Sequence, residues 1–97
     1  MSFNESCYSF LKKVPRGKVT TYREIAKALK SKGYRAVGNA MNKNPYAPIV
    51  PCHRVVRSDG SLGGFAHGPK KKTYMLKAEG VEVVNGKIDL NKYLHKF

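Results

Sequence analysis

The stretch TYREIAKALKSKGYRAVGNAMN, residues 21–42, decides the fold that we predict for this chain. It opens with the capping box Thr21-Tyr22-Arg23-Glu24, and the apolar residues that follow share one helix face: Ile25, Ala26 and Leu29. Gly33 is predicted to end this helix, and a second helical run extends from Arg35 to Asn42. Helix, glycine-containing turn and helix outline a helix-turn-helix, although any antiparallel helical hairpin has the same outline.

The second helical run carries Arg35 among small residues: Ala36, Gly38 and Ala40. Small side chains allow a neighbour to approach the backbone closely. That neighbour is either the groove of a nucleic acid, with Arg35 projecting into it, or another helix of the same fold. The basic charge of the chain favours the groove.

Another helix precedes this pair. Ser2-Phe3-Asn4-Glu5 is a capping box, Pro15-Arg16-Gly17 ends the pattern, and apolar residues recur at helical spacing: Phe3, Cys7, Phe10, Leu11 and Val14. Because Cys7 lies on the apolar stripe, we predict that it is a core residue rather than a nucleophile.

The remainder of the chain is divided by prolines and glycines. Residues 44–51 contain three prolines, which exclude a helix and predict an extended, stiff connection. Ser58-Asp59-Gly60 predicts a turn, and the glycines of residues 63–68 permit close approach to a ligand. A helix is predicted to begin at Pro69 and to end at Gly80.

A hairpin signal, Asn85-Gly86, stands between apolar runs near the C-terminus and predicts a wing. The chain has no internal repeat or low-complexity tract. We therefore predict a mainly α fold with a small β component: a winged helix-turn-helix-like single domain over residues 1–97.

The composition points to a polyanionic partner. The chain has 97 residues, 19 Lys and Arg against 6 Asp and Glu, and a formal net charge of +13 at pH 7. Nucleic acid is the first candidate and acidic lipid the second, while the alternative is a surface that is basic only for solubility. There is no run of about 20 apolar residues and no signal-peptide pattern, so we expect no membrane span and no export. Two cysteines without metal-type spacing fit a reducing, intracellular setting, cytoplasmic or nuclear.

Pro51-Cys52-His53-Arg54-Val55 is the candidate chemical centre. An imidazole and a guanidinium beside a thiol favour the thiolate. Adjacent residues of an extended segment point to opposite sides, so His53 would act on Cys52 through one water. Among the six acids, Glu79 is our choice to orient His53, because Glu5 and Glu24 are predicted to be helix caps and Asp59 is predicted to lie in a turn.

Two alternatives to a nucleophilic centre remain on spacing alone. Cys52 can be a buried structural cysteine. A metal site would draw on Cys52, His53, His67 and His95, but these residues lack the repeated spacing of metal ligands, so we expect no metal.

The segment Pro51-Cys52-His53-Arg54-Val55-Val56 resembles the active-site motif of the O6-alkylguanine-DNA alkyltransferases, also called methylated-DNA-protein-cysteine methyltransferases. Further segments resemble family motifs in the family's order: Pro15-x-Gly17-x-Val19-Thr20-Thr21-Tyr22, Arg35-Ala36-Val37-Gly38-x-Ala40, Asn44-Pro45, Gly63-Gly64-Phe65 and Glu79-Gly80. The resemblance covers nearly the whole chain and is to the C-terminal, DNA-binding and active-site domain only. The family's N-terminal domain, often the site of a structural zinc, is expected to be absent.

The resemblance implies direct, stoichiometric and irreversible transfer of an alkyl group from O6 of guanine in double-stranded DNA to Cys52. No cofactor is implied, and a monomer would bind the minor groove. His53 and Glu79 are implied as catalytic partners, and Tyr22 as the residue that contacts the flipped nucleotide and helps protonate the leaving guanine. Arg35 is implied as the finger that enters the base stack. The other implied contacts are Asn44, Val55, Phe65 and Ala66 to the substrate, and Thr21, Tyr22, Ala36, Gly38 and Ser58 to DNA.

Departures from the family pattern leave the range of alkyl groups open. Phe65 stands where tyrosine is common, Ala66 and His67 follow it, and Tyr46-Ala47-Pro48 shifts the proline pattern. The alternative to transfer is a protein that resembles the alkyltransferase-like group, which flips and flags the damaged base without transfer. That group usually has tryptophan at the acceptor position, so Cys52 favours transfer.

Overall fold

The structure, a computed structural model, describes residues 2–30, 33–46, 50–63 and 68–97. Its helices are α1 (Phe3–Leu11), α2 (Tyr22–Ala28), α3 (Tyr34–Asn42), α4 (Pro69–Ala78) and α5 (Leu90–Tyr93). Strands β1 (Thr20–Thr21) and β2 (Val55–Val56) pair in parallel, Thr20 with Val55 and Thr21 with Val56. The predicted mainly helical fold with a small β component is confirmed.

The predicted helix signals hold at both capping boxes. The N–H of Glu5 donates to Oγ of Ser2 at 3.1 Å, and the N–H of Glu24 donates to Oγ1 of Thr21 at 3.0 Å. These bonds satisfy backbone donors that a helix N-terminus leaves without intrahelical partners.

The last of the long helices also has the predicted ends. Pro69 is the first residue of α4, and Gly80 follows its end with φ at +85°. The N–H groups of Gly80 and Val81 return to the carbonyls of Lys77 and Leu76, the Schellman arrangement. This end matters for the site because Glu79 is the residue that immediately precedes Gly80.

Helices α2 and α3 pack against each other and against α1, which gives the predicted helix-turn-helix-like arrangement. Helix α2 ends earlier than predicted. Helix α2 ends at Ala28, and Lys30 has the left-handed φ of +56°. Gly33 is the N-cap of α3 rather than the end of α2.

Two clusters of buried side chains hold the fold. The first lies among α1, α2 and α3 and includes Cys7, Leu11, Ile25, Val37 and Cys52. The predicted core position of Cys7 is confirmed, since its side chain is fully buried. The second cluster joins β2 to α4 and α5 and includes Val19, Val56, Leu76, Ile88 and Tyr93. The Cys52 region therefore sits where the helical core meets the sheet.

The C-terminal hairpin is short. Val84 and Lys87 form an antiparallel bridge, and the two residues between them, Asn85 and Gly86, have φ of 52° and 73°. Positive φ at both positions is the geometry of a type I′ turn. Lys87 also bridges to Ser61, so the predicted wing packs against the turn after β2. None of the helices that the structure describes is long and apolar enough to cross a membrane.

Candidate active site

A tight turn, rather than an extended segment, presents the candidate nucleophile. Residues Cys52–Arg54 form a single 3-10 turn, which we call the Cys52 turn. The N–H of Cys52 donates to the carbonyl of Val50 at 2.9 Å, and the N–H of Arg54 donates to that of Pro51 at 2.9 Å. The prediction that Cys52 and His53 lie in an extended strand is therefore wrong, and their side chains are set by the turn.

Asn44 bends the segment that leads to the Cys52 turn. Its Nδ2 donates to the carbonyl of Val50 at 2.8 Å, and its Oδ1 accepts from the N–H of Tyr46 at 2.9 Å. The N–H of Val50 also returns to the carbonyl of Tyr46. As predicted from the prolines, the described residues of this segment form no helix. The predicted extended connection is wrong over residues 44–46 and at residue 50, because these residues turn. Residues 47–49 lie outside the described part of the chain. Asn44 thus fixes the approach to Cys52.

His53 and Glu79 face each other beneath the Cys52 turn. His53 is 3% exposed, and its Nε2 lies 3.1 Å from Oε2 of Glu79. Burial lowers the pKa of His53 below its usual 6.5, although Glu79 opposes this effect. His53 is therefore neutral at pH 7, the form that can accept a proton.

Glu79 is held in its charged form by two basic partners. Burial alone would raise its pKa, but hydrogen bonds from Arg54 and His53 lower it below the usual value. Nε of Arg54 donates to Oε1 at 2.9 Å and Nη2 donates to Oε2 at 2.5 Å, a two-pronged ion pair. From the sequence, we expected the Arg54 guanidinium beside the thiol. In the structure it donates hydrogen bonds to Glu79 and to the carbonyl of Val14 instead.

Tyr22 lies at the first turn of α2 against Gly63. A Cβ on Gly63 would stand 3.2 Å from the Tyr22 hydroxyl and from its ring edge, and Gly63 has φ of +73°, so glycine is required at this contact. Burial raises the pKa of Tyr22, the Arg57 charge lowers it, and Cys52 raises it. The net shift is upward, so Tyr22 keeps its proton at neutral pH.

The outer face of α3 opens onto a cleft of about 830 Å³. Arg35 is exposed on this face, whereas Ala36 is exposed on α3 but does not line the cleft. A Cβ on Gly38 would meet nothing within 4 Å, whereas Ala40 is fully buried in the core. Tight helix packing therefore explains Ala40 but not Gly38. The residues around the cleft are Tyr22, Arg23, Tyr34, Arg35, Gly38, Asn39, Asn42, Arg57, Ser58 and Asp59.

Several predicted contact residues have other surroundings than expected. Thr21 is 3% exposed and uses its hydroxyl as the α2 cap, which argues against a side-chain contact to DNA. The carbonyl of Val55, a residue that the family resemblance implies as a substrate contact, accepts from Nζ of Lys72 at 2.6 Å. Phe65 and Ala66 lie outside the described residues, as does His67. Over the described ranges, no group of three or more His, Cys, Asp or Glu side chains is arranged to hold a metal ion.

Lys72 is the main site-adjacent residue that the sequence reasoning missed. It is the third of three consecutive lysines, a pattern that is typical of a solvated surface, yet it is fully buried against β2. A helical spacing argument could have found it, because Lys72 and Leu76 are four residues apart and so share one face of α4.

Comparison with known proteins gives one matching family model, described as the 6-O-methylguanine DNA methyltransferase DNA-binding domain, over residues 2–81. Among curated relatives, a methylated-DNA-protein-cysteine methyltransferase of Methanosarcina barkeri is 49% identical over 78 residues, which are 79% of this chain and 49% of that protein. The chain spans about half the length or less of curated relatives that it matches.

Solved structures show the same fold. The crystal structure of S. pombe Atl1 with damaged DNA containing O6-carboxymethylguanine matches with a TM-score of 0.88 and 32% identity, over 98% of this chain and 95% of that one. Mycobacterium tuberculosis OGT in complex with DNA matches with a TM-score of 0.78 and 38% identity, over 81% of this chain and 50% of that one.

Proposed function

Since the chain belongs to the 6-O-methylguanine DNA methyltransferase family of DNA-binding domains, we propose that it repairs DNA by taking an alkyl group from O6 of guanine onto Cys52. It corresponds in this proposal to the C-terminal, active-site domain of the longer relatives and acts as one domain. The observation that carries the proposal is the arrangement around the Cys52 turn, where neutral His53 follows the thiol and faces charged Glu79. A structural cysteine would need no such pair.

The chemistry is a displacement at the alkyl carbon. The Cys52 thiolate forms a bond to that carbon while the bond from carbon to O6 breaks, and the electron pair of the broken bond goes to the guanine. His53, neutral and oriented by Glu79, takes the thiol proton, directly or through a water. Tyr22 supplies a proton to the leaving guanine. The product is a thioether that the chain cannot reverse, so each molecule acts once and needs no cofactor.

Access to the guanine requires that the nucleotide leaves the base stack. Arg35 projects from the exposed face of α3 and would fill the vacated position. The small side chains at Gly38 and Ala36 would let the backbone of α3 approach the floor of a minor groove closely. Ser58 also lines the cleft. The charge of +13 supplies the phosphate attraction, which carries no sequence information.

The second candidate function is lesion binding without transfer. The observation that favours it is the similarity to Atl1, which extends over 95% of that chain and whose solved complex contains O6-carboxymethylguanine. Both functions use the same recognition surface, and they differ only in what Cys52 does. In either case the partner is double-stranded DNA inside the cell, bound by a monomer.

Peptide mapping after exposure to an O6-methylguanine duplex tests the proposal. We expect the methyl group on the peptide that contains Cys52 and none on the peptide that contains Cys7. Cys52→Ser should abolish transfer and still bind the lesion duplex, because a hydroxyl is a poor nucleophile of similar shape. Cys7→Ser is the matched control and should still transfer. Transfer by the Cys52→Ser variant would overturn the proposal.

A further inference from the structure

An exposed tyrosine stands at the start of α3, next to Arg35. Tyr34 is the first residue of the helix, 57% of its surface is exposed, and it is one of the residues around the cleft. It belongs to neither of the two buried clusters, so core packing does not explain an aromatic residue at this position. The ring is therefore available to a ligand that enters the cleft.

Two other exposed tyrosines have different surroundings. The ring of Tyr46 meets the buried ring of Tyr8 edge to face, with 5.8 Å between the centroids. Tyr74, on α4, is 70% exposed but does not line the cleft. Tyr34 differs from both because it combines an exposed ring with a place in the cleft.

The face of α3 that lines the cleft carries its largest side chains at one end. Its residues recur at helical spacing: Tyr34, Arg35, Gly38, Asn39 and Asn42. Tyr34 and Arg35 are neighbours in the first turn, whereas Gly38, one turn further along, has no side chain, and a Cβ there would meet nothing within 4 Å. A ligand that lies along this face therefore meets a ring and a guanidinium side by side.

The charges around the cleft favour a polyanion. Of the described residues that line it, three are arginines, Arg23, Arg35 and Arg57, and one is an acid, Asp59. Positive charge attracts the phosphates of DNA, and an uncharged ring adds nothing to that attraction. A tyrosine ring offers a flat apolar face instead, on which any base can stack. Tyr34 therefore supplies a kind of contact that the charge of the arginines does not.

We propose that Tyr34 is an aromatic wedge next to Arg35: its ring stacks on a base that borders the position vacated by the damaged nucleotide. In this proposal, which rests on the proposed function, Tyr34 contacts the part of the duplex that stays in place while the guanine leaves the stack. A vacated position opens the faces of the neighbouring bases to water. Arg35 fills the vacancy, and a ring in the same helical turn covers one of the open faces, as apolar wedges do at kinked base steps.

A single-tryptophan variant tests the stacking directly, because the chain has no tryptophan of its own. Tyr34→Trp is titrated with a duplex in which a tetrahydrofuran abasic analogue replaces the damaged nucleotide, so the position is already vacated and no alkyl group is present. Stacking on a base quenches indole fluorescence, and we expect the variant to lose roughly half of its emission or more when it binds. Tyr74→Trp is the matched control and should keep its emission. The anisotropy of a dye on the duplex shows that both variants are bound.

A Tyr34→Trp variant that binds this duplex and keeps its emission would overturn the proposal. A blue shift without quenching would do the same, because it would place the ring against a sugar and not on a base. The duplex carries no alkyl group, so a failure of the wedge is separate from a failure of the repair function, which the mass of the wild type after exposure to O6-methylguanine reports. If the wild type binds no duplex at all, both proposals are contradicted.

Affinity for the same abasic duplex provides a second measurement. Tyr34→Ala should bind about tenfold more weakly than the wild type, whereas Tyr34→Phe, which keeps the ring, should bind as the wild type does. Neither substitution removes a charge, so the slope of log K against log salt should stay unchanged. Tyr74→Ala is the control for the loss of an exposed tyrosine and should have the wild-type affinity. Wild-type affinity of Tyr34→Ala, or equal weakening by Tyr34→Ala and Tyr34→Phe, would overturn stacking by the ring.

Discussion

The guanidinium of Arg54 and the carboxylate of Glu79 form a two-pronged ion pair, 2.9 Å from Nε to Oε1 and 2.5 Å from Nη2 to Oε2. The pair joins the Cys52 turn to the C-terminal end of α4, and Nη1 of Arg54 extends the connection to the carbonyl of Val14. Glu79 is thereby fixed at the position from which it also contacts His53.

Arg54→Met should destabilise the protein strongly. With 15% and 8% of the two side chains exposed, loss of Arg54 leaves a largely buried carboxylate without its main partner, at a cost of about 3 kcal/mol. Urea denaturation measures the change. Arg16→Met is the control, because Arg16 also donates to a backbone carbonyl, that of Ala78, but is exposed; it should cost under about 1 kcal/mol. Equal losses for the two variants would show that the ion pair is not structural.

His53 should make the stability fall as pH decreases below about 6.5. Its pKa is lowered in the folded state, so the unfolded chain takes up the proton first as pH falls below 6.5. The free energy of unfolding therefore decreases as pH falls from 6.5 through the folded pKa. Glu79, whose pKa is lowered from 4.5, contributes stability that is lost only at lower pH.

Urea denaturation of wild type and His53→Gln at pH 5.0, 6.0 and 7.5 separates this contribution. The difference in unfolding free energy between pH 7.5 and pH 5.0 should be smaller in the variant, since both proteins keep His67 and His95. If the unfolding free energy of wild type and of His53→Gln changed with pH by the same amount, His53 would not be buried as a neutral imidazole.

Gly38 separates fold stability from recognition. Because a Cβ at this helical position meets nothing within 4 Å, Gly38→Ala should raise the free energy of unfolding by about 0.5–1 kcal/mol. Gly38→Leu should also fold, but a large side chain on the face that we propose to approach DNA should weaken binding to a lesion duplex. Fluorescence anisotropy measures that affinity. Unchanged binding by Gly38→Leu would remove this face of α3 from the interface.

Arg35→Ala should weaken binding to the lesion duplex by about tenfold, or about 1.4 kcal/mol, because the vacated stack loses its filler. A finger inside the stack makes no phosphate contact, so the dependence of log K on log salt should keep its slope. Lys27→Ala is the control for the lost charge, since Lys27 is exposed on α2 outside the cleft. A slope that becomes shallower by about 0.9 for Arg35→Ala would indicate a phosphate contact instead.

The sequence predicted those parts of the fold that local signals determine. The boxes at Ser2 and Thr21 cap their helices, and Pro69 and Gly80 bound α4, because each depends on backbone groups within a few residues. The end of α2 was placed too late, since left-handed backbone at a residue such as Lys30 has no strong signature.

The sequence predicted that His53 and Glu79 lie together, which the structure confirms, but it did not predict the geometry around them. The pairing of His53 with Glu79 followed from a choice among few acids. The turn at Cys52 depends instead on a hydrogen bond from Asn44 to the carbonyl of Val50, which the sequence pattern does not reveal. Lys72 and the partner of Arg54 were missed because both depend on contacts between segments distant in sequence. A run of three lysines is normally solvated, and only the packing of α4 shows that the third is buried.

The most direct test of the account is the intact mass of the protein after incubation with a duplex that contains one O6-methylguanine. We predict a gain of one methyl group that saturates at one per protein molecule, however large the excess of duplex. Tight, lesion-selective binding without any gain in mass would contradict transfer to Cys52 and would leave lesion binding as the function.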